Sequence, residues 1–526
     1  MSRLFIAWKT TFYSLIDDRS MPRSVQMTAL ALILLGCLTV RLIVIDVPPL
    51  DRTMWKEIDY IEISKNYQKN GFDFFKPEIT WPAEPPRVTA MEFPLVPYLA
   101  AALYSIFGFN VYTVRLISCV SFLVLTVFVF LLSRRELGAP VGLLSAMVSA
   151  VIPIDHGFGN ILFSEPTVFA CSAGAVYYFA CAIESNRKLH WTLATMLFSL
   201  AVALKLEPLF LLLPISWASF RLYGFELKRY GKIALSICIA MVLPILWFSY
   251  AYHLGKTSID VFGVFGGHDK LQTFTMLADP SWYRTMLLRL RWDILGEKVG
   301  AALFGIGLIS CVVARRGGLI ISYLLAVVCY FAIVAEGNID APYRQLNAVT
   351  PASILMAVGA LAIAACGLSF TQLVGKRPKL QKWNLPTVAL IAGLSLLSLY
   401  FINNHSKTLI KPIQPKNDRE TFSEQVKKYA KPGDKLIMLG EYTTHKGGND
   451  LSPVIYYYTG LQGWTLQKRE WDLRKVHELI GRGAAFLGTY RMSREPDSAF
   501  FMNQIREYYP LLFEDREREL SLYQLR

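Results

Sequence analysis

The chain has 526 residues and a formal net charge of +14; 53% of its side chains are hydrophobic and only 18% are charged. That balance leaves too little polar surface to cover a soluble protein of this length, which excludes a soluble enzyme and points to a polytopic membrane protein. The basic excess falls largely in short links between apolar segments, as the positive-inside bias requires, so it argues for membrane topology and against a nucleic-acid partner. The 8 cysteines all lie in apolar segments at no metal-ligand spacing, and none supports a disulfide framework in the polar tail.

Residues 1–24 carry Arg3, Lys9, Arg19 and Arg23 and read as a cytoplasmic leader to a retained first helix. Apolar segments follow at 27–47, 112–133, 139–156, 165–184, 190–205, 208–223, 232–252, 298–314, 318–335, 348–368 and 386–403. Each approaches the ~20 residues that cross a hydrocarbon core, so the sequence predicts about eleven spans and a polytopic α-helical fold. Arg134-Arg135, Arg187-Lys188, Lys228-Arg229, Arg315-Arg316 and Lys376-Arg377 fall on one side, that of the N-terminus. This makes the N-terminus cytoplasmic and puts the tail outside an inner or plasma membrane. Segment 94–107, opened by Pro94 and Pro97 and closed before Gly108, is too short to cross. It reads as an interfacial or re-entrant helix on the outer face.

From residue 404 the composition changes. The pattern predicts a helix over 422–429, a buried strand at Lys435-Leu-Ile-Met-Leu, a helix over 472–483 and a second buried strand over 484–488. Such alternation implies a small extracytoplasmic α/β domain over 404–526, appended to a membrane domain over 1–403 whose first outer loop is 48–111.

The outer side collects the unusual residues. Loop segment 55–95 is acidic and aromatic, and Asp59, Glu62, Ile63 and Asn66 share one face of a predicted helix. A carboxylate at a membrane surface suits proton acceptance from an acceptor nucleophile, and Asp59 or Glu57 could serve. As an exposed loop carboxylate, Asp59 is expected to add little to stability. Charged groups at the rim of apolar spans, such as Glu165 and Lys205, mark a functional face by default.

Taken in order, these stretches resemble integral-membrane glycosyltransferases of the GT-C type. They are Trp-Lys-Glu57-Ile-Asp59, Gly-Phe-Asp-Phe-Phe-Lys-Pro, Glu92-Phe-Pro-Leu, Ser-Glu165-Pro, Leu-Lys205-Leu-Glu-Pro, Tyr343-Arg344-Gln345 with Pro351, and Tyr456-Tyr457 with Gly460, Gly463 and Trp464. The likeness is to the bacterial branch of the family that includes the protein O-mannosyltransferases and the lipid A aminoarabinose transferases. It implies a donor sugar on polyprenyl phosphate, transferred with inversion to a lipid, glycan or protein acceptor, and it leaves room for a divalent cation. It implies a general base in the first outer loop, matched by Asp59, although Lys56-Glu57 stands where many relatives carry an Asp-Glu pair. Lys205, Arg344 and Arg115 become candidates for the donor phosphate, and Tyr343 and Gln345 for substrate contacts. Glu165 would position a hydroxyl or a cation. Glu92 stands where relatives have Lys.

Two other classes fit the span count: a secondary transporter and a non-catalytic subunit of envelope glycan assembly. Transporters commonly show related halves and mid-bilayer charges, neither of which is visible here.

Overall fold

The computed structural model describes residues 2–16, 21–43, 45, 56–152, 160–258, 273–373, 418–439, 454–466, 470–490, 492 and 498–526. It forms two compact units: Met1–Val47, Val111–Tyr250 and Gly267–Lys411 in the first, Pro48–Asn110, Ala251–Gly266 and Pro412–Arg526 in the second. The first outer loop and the chain's tail thus share a unit.

The first unit is helical. Among the described residues, helices at Arg23–Ile43, Val111–Leu137, Glu165–Ser185, Leu227–Thr257, Glu297–Ala314 and Tyr343–Phe370 are long and apolar enough to cross a membrane. Ala139–Val151, Lys188–Leu204 and Gly318–Ile333 are shorter apolar helices. The expected span over 208–223 is a 3₁₀ turn, Glu207–Leu211, running into an α-helix, Leu212–Tyr223. The expected span over 386–403 lies outside the described residues. Leu32 and Leu246 are 64% and 65% exposed, which water would penalise and lipid tails would not. The chain is an integral membrane protein.

Small residues bring the helices together where no hydrophobic force acts between them. Gly307 lies against the Leu355 carbonyl and Gly359 against that of Leu303, so Glu297–Ala314 and Val349–Leu373 meet backbone to backbone. A Cβ at either glycine would overlap the opposite carbonyl.

In the second unit the Lys56–Lys69 helix packs on the Leu95–Phe107 helix, which ends at Gly108 as expected. The tail holds a five-stranded sheet: β1 Lys435–Leu439, β2 Gln462–Thr465, β3 Ala484–Tyr490, β4 Leu511–Asp515 and β5 Leu520–Gln524, in the order β2-β1-β3-β5-β4. β1 pairs in parallel with β2 and β3, while β5 runs antiparallel to β3 and β4. Central β3 is buried at every position, which explains its unbroken apolar sequence. Helices Leu473–Gly481 and Ser498–Tyr508 supply Val476, Leu479 and Ile505 to a core shared with Ile437, Leu487 and Tyr523.

Candidate active site

The predicted site residues fall into two groups, one in each unit. In the second unit the Lys56–Lys69 helix has an unusual surface: its first three turns are almost entirely buried although half their side chains are polar. Asp59 is 0% exposed and Glu57 1%. This corrects the expectation of an exposed loop carboxylate; the helix is covered by neighbouring protein, not by solvent. Lys56 pairs with Glu92 at 3.1 Å, so Glu92 serves here as the counter-charge of a lysine.

The face predicted to carry Asp59, Glu62 and Asn66 meets the 77–89 stretch. Glu62 Oε2 accepts from the Thr80 amide at 3.2 Å, and Asn66 Nδ2 donates to the Glu78 carbonyl at 2.7 Å. Burial pushes the Glu62 carboxyl up to about 7, against the opposing pull of the Thr80 and Trp81 amides and the Lys65 charge. Burial also lowers the Lys65 ammonium, offset in part by Glu62.

In the first unit the structure brings Glu165, Lys205 and Tyr343 together. Glu165 opens the Glu165–Ser185 helix, where the positive end of the dipole favours a carboxylate, and Ser164 Oγ donates to its Oε2 at 3.2 Å. Lys205 follows the Lys188–Leu204 helix in extended backbone, which turns its side chain back toward Glu165. Its Nζ lies 2.7 Å from Glu165 Oε1, 3.3 Å from Glu207 Oε1 and 4.9 Å from the centre of the Tyr343 ring. Phe163 meets the Tyr343 ring edge-on at 5.1 Å. Asn347 Nδ2 donates to Glu207 Oε2 at 2.7 Å.

Glu207 and Asn347 are therefore part of this cluster, although the sequence reading did not single them out. Glu207 could have been found: it is a charge inside an otherwise apolar run, within the Leu-Lys-Leu-Glu-Pro stretch. Arg344 lies beside Glu207, with its guanidinium packed on Gly337. Gln345 is fully buried, its Nε2 3.6 Å from Met286 Sδ. Arg115 is 2% exposed and donates from Nη1 to the Ile45 carbonyl at 2.8 Å. Among the described residues no group of three or more His, Cys, Asp or Glu side chains is arranged to hold a metal ion.

Residues 86–248 match the family model described as dolichyl-phosphate-mannose-protein mannosyltransferase. No curated protein matches the chain by sequence. The fold resembles the ArnT of Cupriavidus metallidurans in the apo state, with a TM-score of 0.63 and 14% identity over 94% of this chain and 97% of that one. The same protein bound to undecaprenyl phosphate gives 0.59, again at 14% identity, 94% and 97%. The apo oligosaccharyltransferase of Archaeoglobus fulgidus gives 0.53 at 11% identity, over 93% of this chain and 73% of that one. Fold and family match together agree with the resemblance read from the motifs: the chain has an ArnT-like membrane fold of the GT-C type. Residues 86–248 are the part of the chain similar to the dolichyl-phosphate-mannose-protein mannosyltransferases.

Proposed function

We propose that this chain transfers a sugar, with inversion, from a polyprenyl-phosphate donor to an acceptor at the extracytoplasmic face, with Asp59 as general base. The acceptor hydroxyl oxygen attacks the anomeric carbon, its proton passes to the Asp59 carboxylate, and the anomeric C–O bond breaks with its electron pair leaving on the lipid phosphate. The buried Lys56–Lys69 helix carries this reading. Asp59 stands in the loop whose motif order resembles the family's catalytic loop, and its complete burial suits a base held in one orientation away from bulk water. An ArnT structure of the same fold binds undecaprenyl phosphate, which supports the donor class.

Lys205 and Arg344 are the groups we assign to the leaving phosphate. Lys205 is already held by two carboxylates, so a donor phosphate would compete with Glu165 and Glu207 for its ammonium. Arg115 and Glu92, tied to Ile45 and Lys56, take structural roles in this scheme. The N-terminus would lie in the cytoplasm and the tail outside.

The test is to purify the protein, identify co-extracted lipid by mass spectrometry, and assay transfer from a synthetic polyprenyl-phosphate sugar. A bound polyprenyl phosphate and turnover are expected. Solute flux across proteoliposomes without transfer would favour the transporter. Donor binding without turnover would favour the non-catalytic subunit.

A further inference from the structure

The 77–89 stretch is built as a connector. Glu78 and Val88 pair in an antiparallel bridge, with the Ile79 amide donating to the Arg87 carbonyl at 3.0 Å and the Thr89 amide to Pro77 at 2.8 Å. One side of this hairpin is fastened to the Lys56–Lys69 helix by Glu62 and Asn66. The other side continues the tail sheet: Pro82 forms a parallel bridge to Gly463 of β2, with Gly463 N donating to Trp81 O at 2.9 Å and Ala83 N to Gly463 O at 3.1 Å.

Side chains reinforce the seam. Trp81 stacks on Tyr456 with ring centroids 5.6 Å apart at 16°. Arg87 Nη2 donates to Gln462 Oε1 at 3.0 Å, and Arg482 Nη1 donates to Glu84 Oε2 at 2.9 Å. Gly463 must be glycine, because a Cβ would overlap the Leu436 carbonyl and press on the Tyr456 ring.

From this geometry we infer that the Tyr456–Gly463 stretch of the tail positions the catalytic loop: it holds the 77–89 hairpin as an added strand, and through Glu62 and Asn66 fixes the helix that carries Asp59. The tail then acts on the reaction without touching substrate. Main-chain pairing gives the joint its stiffness, as in strand addition between chains. Tyr456, Gly463, Trp81 and Glu62 are positioning residues in this scheme, which rests on Asp59 being the base. Small misplacements of a catalytic group cost large factors in rate, so a loosened seam should lower kcat while leaving donor KM nearly unchanged.

The experiment pairs two readouts in detergent-purified full-length protein. Trp81→Ala, and separately the peripheral double variant Glu84→Ala with Gln462→Ala, are compared with wild type. Amide hydrogen exchange over 56–69 should accelerate at least tenfold in each variant, and kcat should fall about tenfold to a hundredfold at unchanged KM. Glu62→Gln, which can still accept from Thr80, should keep both near wild type, whereas Glu62→Ala should lose both. The double variant leaves the buried core of the tail intact, so it reports on the seam even if Trp81→Ala fails to fold. Unchanged exchange over 56–69 in the double variant, or a donor-KM effect at unchanged kcat, would overturn the inference. Should Asp59→Asn remain active while exchange and kcat respond to the seam as stated, the base assignment fails and the positioning role stands.

Discussion

The Lys205 ammonium bridges two buried carboxylates, 2.7 Å from Glu165 Oε1 and 3.3 Å from Glu207 Oε1. The three groups come from different elements: the start of one helix, the end of another and a 3₁₀ turn. One side chain thus ties all three together, and its removal would leave Glu165, fully buried, without its cation.

Lys205→Ala should accordingly do more than weaken donor use. Breaking a buried pair typically costs about 3–5 kcal/mol, because the remaining charge stays desolvated. A lowered thermal midpoint in detergent should accompany the kinetic defect. Combining Lys205→Ala with Glu165→Gln should recover part of the stability and none of the donor use. A fully stable Lys205→Ala would show the ammonium to be a surface anchor.

Asp59→Asn should lower kcat by ~10²–10⁴-fold, the usual cost of removing a general base, with donor binding retained. Glu57→Gln should be milder. Single-turnover transfer from a polyprenyl-phosphate sugar measures both. The reverse order of severity would move the base to Glu57.

Glu62 predicts a pH dependence of stability. Burial raises its carboxyl from 4.5 to about 7, so the folded state binds the proton more tightly than the unfolded chain does. The stabilising proton is fully present in the folded state below pH 4.5 and is lost as pH rises through 7, so this contribution declines across that window and is flat above it. The difference amounts to roughly 3 kcal/mol at most. Thermal unfolding at pH 5 and pH 8 should separate wild type from Glu62→Gln, whose stability should vary less. Equal slopes for the two proteins would show that Glu62 does not titrate in this range.

The Trp81–Gly463 hydrogen bond also constrains topology, since both partners must lie on one side of the membrane. An even number of spans must separate them, as the predicted set provides. Single cysteines placed at Asp73 and Lys475 should react with an impermeant maleimide from outside, and those at Arg134 and Arg315 only after permeabilisation. Cytoplasmic labelling at Lys475 would invert the assignment.

Much of the helical frame was legible because run length and hydrophobicity alone specify a span, and Gly108 marks its helix end. In the tail, β1 and β3 were legible as buried apolar runs. β2 was not, because Gln-Gly-Trp-Thr has neither length nor alternation. β4 and β5 were missed because the edge strand carries Glu514 and Asp515 and leads into a charged turn. At the site, motif order found Glu165 and Lys205 separately, but pairing across distant elements leaves no mark in a local pattern. The burial of Asp59 was hidden for a related reason. A polar helix covered by other protein has the composition of an exposed one.

The joint between Arg87 and Gln462 spans 375 positions of chain. A ribosome therefore delivers the loop long before the strand that completes it, with most of the membrane-spanning helices made in between. Throughout that interval the hairpin has an open edge, so under the proposed scheme the nascent protein would hold the Asp59 loop unfinished until the tail has been made and folded. Full activity would then arrive only with the C-terminus, and a chain arrested or clipped before residue 462 would insert in the membrane yet turn over far more slowly.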